Sequence, residues 1–521
     1  MEKITTKKKI TKKKTPLKRA NKKRSATSRS QSNTPLAHGR EAPDPNEVID
    51  GIHARLSDTP RDGEPDSSDR NDYNQFFRPN GGLIYMKAVQ AVTHALGSEL
   101  LASRGLLEAY DARLGIYKEV AEADVHQVLK RELGDRLGPT HASGVLQMLR
   151  NEHAKPPEDI APDKTTLCFQ NGVVIPGESK LVPHSPKFRH RSRLPFAFDP
   201  KAECQLWEDK LEEIFDGNEG LIRLLECIFA YCLTHNTGFQ VFFLFVGSGA
   251  NGKGVILSTL RNLAGEDNVS AVPPEKFNVD FMVASTRGRL VNIVSEARSR
   301  RVIPSTTLKA MTGEDLLTFN VKYKDPVSFK QTAKHVFAAN EMIRFDDDTE
   351  AINRRLVALP FNRTFAPSER DRNLVTKLEK ELPGILNWAM RAHADLETLH
   401  AFPQPPESLA LKEDFSLTQN PVLAFVEGFC ELIPGERVRR TAVYQSYCGW
   451  HRYANMPGRP LRDRDFYAKL RSAYPQLSFL HSSDNFIEGI GLLSVPDPAQ
   501  GQVDDFIAKM RPRISTKSKK H

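Results

Sequence analysis

The residues with the clearest chemical potential are Gly247, Ser248, Gly249, Ala250, Asn251, Gly252, Lys253, Gly254 and Val255. They follow an apolar run, Val241–Val246, and open a stretch with helical spacing that reaches Leu263. A buried strand, a glycine turn and a helix make an anion cradle. Backbone N–H groups and the helix N-terminus face phosphate oxygens, and a lysine reaches the β- and γ-phosphates. These nine residues are therefore expected to bind ATP, with Lys253 as the catalytic cation. The glycines allow positive φ and close backbone approach. Position 254 is glycine where such loops carry Ser or Thr, so the hydroxyl that usually touches Mg2+ is missing. Ser258 and Thr259 lie too far along the helix to replace it. A glycine-rich turn without a ligand is the bland alternative, disfavoured by the strand before and the helix after.

Hydrolysis also needs an acid on a neighbouring strand. The apolar stretch Arg289–Glu296 ends in Ser295 and Glu296. Glu296 is the candidate to orient the attacking water and to face Mg2+, although a lone carboxylate after a strand is most often a solvated end. A second apolar stretch, Lys334–Asn340, ends in an amide. Asn340 suits contact with the γ-phosphate or its water, and a turn cap equally well. Asn353-Arg354-Arg355-Leu356 follows. Arginine forks onto phosphate oxygens, and in a ring it can complete a neighbour's ATP site. An isolated Arg-Arg would by default be a surface ion-pair element. Phe319–Phe329 reads as a hairpin tipped by Lys322, Tyr323 and Lys324. Cations around a ring suit single-stranded nucleic acid; three residues alone read more simply as a solvated turn.

The rest of the chain must position these groups. With 521 residues, about three domains are expected. Residues 1–80 are Lys-, Ser-, Pro- and Asp-rich and are expected to be a disordered basic arm. Residues 81–215 are expected to form a mainly helical domain, with helices at Leu83–Leu96, Ser98–Leu107, Glu122–Leu133 and Ala142–His153. Short hairpins are expected at Tyr110–Tyr117 and Phe169–Val174. Residues 216–370 alternate strand and helix, which implies an α/β domain with a buried, mostly parallel sheet. A helical segment and a Pro-rich linker cover 371–415. In residues 416–510, the helices Thr441–Ala454 and Leu461–Tyr474 precede two strands, Leu477–Leu480 and Phe486–Leu493. Helix, helix, hairpin is a winged-helix-like pattern. Its second helix offers Arg462, Arg464, Lys469 and Arg471 to DNA, unless these pair with Asp463, Asp465 and solvent. A basic tail, 511–521, closes the chain.

The charge is uneven. The chain carries +9, of which residues 1–40 hold +13 and residues 511–521 hold +5, so the body between them is at −9. Such ends suit polyanions without sequence preference, and any specific DNA contact must come from a local patch. No apolar run is long enough to span a membrane, and the longest, Leu221–Leu233, contains Arg223 and Glu226. The six cysteines form no CxxC pair, which weighs against a zinc ribbon and fits a reduced cytoplasm. The histidines are scattered, with His184 and His190 flanking a basic loop, and no zinc site is expected.

Taken in order, GxGANGKG, the Ser-Glu strand, LKxMTGED, FAANE, INRRL and PFNRTF resemble a superfamily 3 helicase of the phage/plasmid primase-helicase group, to which the poxvirus primase-helicase is similar. Upstream, CFQNGVVIP, LVPHSPKFRHRSRLPFAFDP and LLECIFAYCLTHNTG resemble the helical domain that precedes that motor. The resemblance covers roughly residues 83–365. It implies an AAA+-type P-loop ATPase core and a hexameric ring moving 3′→5′ on single-stranded DNA. It also implies Lys253 as the P-loop lysine, Glu296 as the acidic motif, Asn340 as the sensor, Arg354 or Arg355 as the arginine finger, and Lys322–Lys324 as the pore hairpin. Two positions depart from the pattern: Gly254, and Ser295 where many relatives have a second acid. Relatives often carry a fused primase. None is expected ahead of residue 80 here, so a separate primase or other replication proteins are expected partners, in a bacterial host cytoplasm.

The leading expectation is an ATP-dependent replicative DNA helicase of a phage, prophage or plasmid-like element, using ATP and Mg2+ on single-stranded and origin DNA. The alternative is an origin-binding initiator that uses ATP to assemble. A packaging ATPase fits less well, because no nuclease cluster follows the motor.

Overall fold

The computed structural model describes residues 73–97, 99–175, 180–297, 302–320, 327–346, 350–453, 459–480 and 485–493. The tip residues Lys322, Tyr323 and Lys324, the basic tail and residues 1–72 of the arm lie outside the described residues.

Apolar residues three and four apart give α1 (Tyr85–Leu96) a buried face of Ala88, Val89, Val92 and Leu96. The segment 98–107, expected as a helix, is instead largely a hairpin of β1 (Leu100–Ser103) and β2 (Leu106–Asp111). Arg104 and Gly105 both take positive φ, at 51° and 80°. Two such residues in succession give the turn whose twist matches paired strands. So short an apolar run cannot separate helix from strand by periodicity. The carboxylate of Asp111 accepts the N–H of Arg113 at 3.0 Å and so turns the chain into β3 (Ile116–Glu119). Helices α2 (Glu122–Leu133) and α3 (His141–Glu152) follow, the first at its expected bounds. A second small sheet holds β4 (Leu167–Phe169), β5 (Gly172–Ile175) and β6 (Lys180–Val182). Among its described residues the expected 81–215 region holds four helices, the fourth at Gln205–Phe215, beside these six short strands. Its apolar core closes over residues 76–149, whereas residues from Leu167 onward pack into the core of the next region.

Helices α4 (Gln205–Phe215) and α5 (Glu219–Leu233) lead into β7 (Phe242–Val246). Then come α6 (Lys253–Ala264), β8 (Val269–Ser270), α7 (Asp280–Ala284), β9 (Val291–Val294), β10 (Val302–Ile303) and α8 (Ser305–Thr312). After these follow β11 (Leu316–Phe319), β12 (Val327–Lys330), β13 (Lys334–Ala339), β14 (Arg344–Phe345), α9 (Glu350–Asn353) and β15 (Leu356–Pro360). One parallel sheet has the order β15-β7-β13-β9-β8. β7 is buried on both faces, as a central parallel strand must be. Side-chain alternation sends Phe243 and Phe245 into one core with α4, α5 and α6, and Phe242, Leu244 and Val246 into the opposite core.

Helices α10 (Leu374–Leu378), α11 (Leu382–Arg391) and α12 (His393–Leu399) follow. The Pro-rich stretch 402–407, expected as a linker, is packed. Phe402 sits 5.2–5.6 Å, centroid to centroid, from the rings of Phe239, Phe243 and Tyr231. Pro406 begins α13 (Pro406–Gln419), which lies along β15 and ties to it through Ser408 Oγ and the carbonyl of Ala358.

The last region comprises α14 (Pro421–Phe429), β16 (Cys430–Glu431), β17 (Arg437–Arg439), α15 (Arg440–Tyr453), α16 (Asp463–Ala473), β18 (Ser478–Leu480), β19 (Phe486–Glu488) and β20 (Gly491–Leu492). Its core centres on Phe425, Tyr447, Trp450 and Phe466. The expected helix–helix–hairpin order is present. Helix α14 and strand β17 precede it, and β17 completes a β17-β19-β18 sheet.

Candidate functional site

The glycine loop 247–252 joins β7 to α6 through a chain reversal with positive φ at Gly249, Ala250 and Gly252. Gly249 and Gly252 have φ of 100° and 87°. A Cβ on Gly252 would stand 2.7 Å from Ile214 Cδ1, and one on Gly247 would stand 2.2 Å from Asn251 Nδ2. The inner side of the loop is therefore filled. The outer side is open: a Cβ on Gly249 or Gly254 meets nothing within 4 Å. The segment after β15 clamps the loop, with the Phe365 N–H donating to the Ala250 carbonyl at 2.8 Å and Asn251 Nδ2 to the Phe361 carbonyl at 3.3 Å. Lys253 Nζ donates to the Gly247 carbonyl and to Asn251 Oδ1, and burial lowers its pKa. Neither Ser248 nor Val255 is buried.

Parallel register brings two of the expected partners to this end of the sheet. Val246 faces Ala339 and Phe337 faces Val294, so Asn340 emerges beside Gly247 and Glu296 one strand further across. Both are exposed at the carboxyl ends of their strands. Ligands of open α/β sheets bind at these ends. Glu296 is thus separated from the glycine loop by β13, and it is an exposed carboxylate at this end of the sheet that could hold Mg2+, which takes one or two carboxylates and substrate phosphates and keeps several waters. Thr259, by contrast, is 1% exposed, so its hydroxyl is turned away from that site.

Arg354 and Arg355 lie elsewhere. They precede β15, and Leu356 pairs with Phe242 at the start of β7, so both arginines occupy the opposite end of the sheet. Arg355 is half-buried and donates to the Ala351 carbonyl at 2.8 Å. Burial lowers its pKa first, then the charge of Arg354, with Asp315 opposing. Arg354 is exposed.

The four cations of the C-terminal region divide. Arg462 and Arg464 are exposed, and Arg471 stacks over the Phe479 ring at 4.4 Å. Lys469 lines a cleft with Arg344, Tyr447, His451 and Arg459.

Sequence reasoning overlooked several side chains. Arg363 bridges Asp216 and Glu369 beside the loop clamp. Glu314 stands at a φ of 60° and accepts from Thr237 Oγ1 at 2.6 Å and Lys164 at 3.2 Å. Lys334 is fully buried against the Thr234 carbonyl and above the Tyr231 ring, and burial pushes its ammonium down to about 7. The charged Arg in PFNRTF and the acidic GED were visible as motif letters, but apart from Glu369 their partners lie 77 to 150 residues away. Among the described residues no group of three His, Cys, Asp or Glu side chains is placed to hold a metal. Nor is any described helix long and apolar enough to cross a membrane.

Comparisons with known proteins address the same segments. Residues 76–216 match a family described as D5 N terminal like. Residues 245–355, from the end of β7 to Arg355, match a family of unknown function, DUF5906. Over 206 residues the chain is 24% identical to a putative helicase, L207/L206, of Acanthamoeba polyphaga mimivirus. That alignment covers 35% of this chain, and the chain spans a fifth of the length of that protein. Two solved apo structures of the NrS-1 C-terminal region are similar at 12% identity. They cover 75% and 78% of this chain and 96% and 100% of theirs, with TM-scores of 0.44 and 0.46. The chain is thus a mixed α/β protein with a parallel sheet, similar over its N-terminal region to D5-type proteins and over part of its length to a helicase-named viral protein.

Proposed function

We propose that this protein is an ATP-dependent replicative DNA helicase of superfamily 3, from a phage, prophage or plasmid-like element, working as a hexameric ring on single-stranded DNA. One observation carries the reading. The phosphate loop and the Arg354 turn lie at opposite ends of one parallel sheet. That placement supports the reading, because Arg354 stands away from the glycine loop of its own chain, where a neighbouring copy in an AAA+-type ring would receive it.

In this reading Lys253 leaves its carbonyl partners for the β- and γ-phosphate oxygens. The N–H groups from Gly249 to Gly254 surround the phosphates. Glu296 orients the attacking water, and Asn340 fixes that water or the γ-phosphate. Mg2+, when bound, would neutralise charge on the phosphates, and Glu296 is the residue that would hold it. Arg354 of a neighbouring copy stabilises charge on the transferring group. The hairpin β11–β12 and the helix α16, in a winged-helix-like region, are assigned to DNA. Priming is assigned to a separate protein, and the site of action to the host cytoplasm.

The test is ATP turnover with and without single-stranded DNA, for the wild type, Lys253→Ala, Arg354→Ala and an equimolar mixture of the two. Turnover stimulated by DNA, lost in each variant and partly restored on mixing, is expected. Turnover indifferent to DNA overturns the helicase reading and favours an initiator that uses ATP to assemble, for which Gly254 and Ser295 are the supporting observations.

A further inference from the structure

The ten residues 184–193 contain Lys187, Arg189, Arg191 and Arg193, with His184 and His190 and no acid. They stand in a chain body whose net charge is −9, so this local excess of cations is not part of a general basic surface. The segment is anchored on its inner side. His190 bonds Thr166 at 2.9 Å and its carbonyl accepts the Tyr117 N–H at 2.8 Å. Ser192 bonds His235 at 2.8 Å, and the Leu194 N–H donates to the Cys168 carbonyl at 2.8 Å. His190, Ser192 and Leu194 are buried, whereas Arg191 and Arg193 between them are not, which is the alternation of an extended strand. Arg191 is spent on Glu108 through a two-pronged ion pair.

Lys187, Arg189 and Arg193 have no carboxylate partner among the described residues. Lys187 is exposed, and Arg189 takes φ 54°, a backbone state rare for a side chain of this kind. Phe188 lies between them, half-exposed, stacked on His190 with centroids 5.7 Å apart and with Lys187 Nζ 6.0 Å from its ring centroid. Of the carboxylates in this neighbourhood, Asp163 accepts from Thr165, Glu108 pairs with Arg191, Glu314 accepts from Thr237 and Lys164, and Glu99 is exposed. Several cations beside a partly exposed ring suit a single-stranded nucleic acid, since charge follows the phosphates and an aromatic side chain can pack against a base.

The position of the loop adds direction. The Phe188 carbonyl accepts the Asp163 N–H at 3.0 Å, and the next residue, Lys164, reaches Glu314 at 3.2 Å. Glu314 stands two residues ahead of β11, the first strand of the hairpin. The basic loop and the hairpin root are therefore neighbours.

We propose that Lys187, Phe188, Arg189 and Arg193 form a binding surface for the phosphodiester backbone of a single strand, next to the hairpin root. The proposal rests on the nucleic-acid reading given under Proposed function. It is distinct from that reading, which assigns DNA to the hairpin and to α16.

The test uses the full chain with three substitutions, Lys187→Ala, Arg189→Ala and Arg193→Ala, against a control that removes three arm charges, Lys7→Ala, Lys8→Ala and Lys9→Ala. Binding to a fluorescent single-stranded oligonucleotide is measured from 50 to 200 mM salt, beside ATP-analogue binding as a check on folding. Losing three single-strand phosphate contacts lowers the slope of log affinity against log salt by about 2. The DNA concentration for half-maximal ATPase stimulation is expected to rise about tenfold in the loop variant and not in the arm control. Single-stranded RNA and duplex DNA probes show which nucleic acid the surface prefers. An unchanged salt slope with intact DNA stimulation overturns the loop proposal and leaves the helicase reading standing. A wild type that neither binds single strands nor responds to them overturns both.

Discussion

The backbone N–H of Phe242 donates to the carbonyl of Arg355 at 2.9 Å. This bond fixes the Arg354–Arg355 turn to the start of the strand whose far end opens the phosphate loop. β7 runs five residues, so its first and last Cα atoms stand about 13 Å apart at an extended rise of about 3.3 Å per residue. Arg354 and Arg355, adjacent in sequence, are held differently: Arg355 by the Ala351 carbonyl, Arg354 in solvent.

That difference separates the two arginines experimentally. Arg354→Ala is expected to keep ATP binding and lower turnover by about 10³-fold or more, the range of a lost arginine finger. Arg355→Ala is expected to act mainly on stability, through the lost bond to Ala351, at about 1 kcal/mol. Nucleotide titration, steady-state turnover and urea unfolding on both variants check this assignment. The reverse pattern would make Arg355 the finger.

The phosphate loop predicts opposite outcomes at two glycines two residues apart. Gly252→Ala places a Cβ 2.7 Å from Ile214 Cδ1 at a φ of 87° and should abolish ATP-analogue binding. Gly254→Ser meets no atom within 4 Å and should fold and bind as well as the wild type. If the new hydroxyl reaches Mg2+, the magnesium concentration for half-maximal turnover falls. Calorimetry with an ATP analogue and a magnesium titration of turnover measure both.

Phe402 lies outside every expected domain core, yet it is 8% exposed and packed among three aromatic rings. Phe402→Ala is expected to destabilise the sheet region by about 3–5 kcal/mol. A residue in a free linker would change stability by no more than about 0.5 kcal/mol. A urea midpoint shift decides between these values.

Buried histidines make the fold sensitive to acid. Burial lowers His190 to about 4 and His335 to about 3 from 6.5, and His235 well below 6.5. Between pH 6.5 and about 4 the unfolded chain binds protons that the folded chain refuses, so stability falls as pH falls. At pH 5 the loss is about 2 kcal/mol each for His190 and His335 relative to pH 7.5. Urea midpoints at the two pH values, compared with His190→Gln, measure it. The variant should lose less stability on acidification than the wild type.

Much of the architecture was legible because it is written in local patterns. The helix Glu122–Leu133 carries its apolar spacing and an acid, Asp124, that satisfies the first backbone donor at 2.7 Å. β7 announces itself through five consecutive large apolar residues followed by glycines. The 98–107 segment was misread because a few apolar residues fit both periods, and the deciding feature is the positive φ of Arg104 and Gly105. The Pro-rich stretch 402–407 was misread because proline marks turns and linkers alike. The rings that bury Phe402 come from residues more than 150 positions earlier.

The sequence by itself determined the chemistry: a glycine cradle with Lys253, a carboxylate and an amide each ending an apolar strand, and a pair of arginines. Residue type and neighbours suffice for that, because strand, turn and helix N-terminus are short-range structures. Only the tertiary structure decided where each group stands. Parallel register carries Gly247, Asn340 and Glu296 to one end of the sheet and leaves Arg354 at the other. It also brings Lys164 to Glu314 across 150 residues. Register and side-chain burial are set by which strands pair and which faces close on a core. Those are long-range choices that no local spacing encodes.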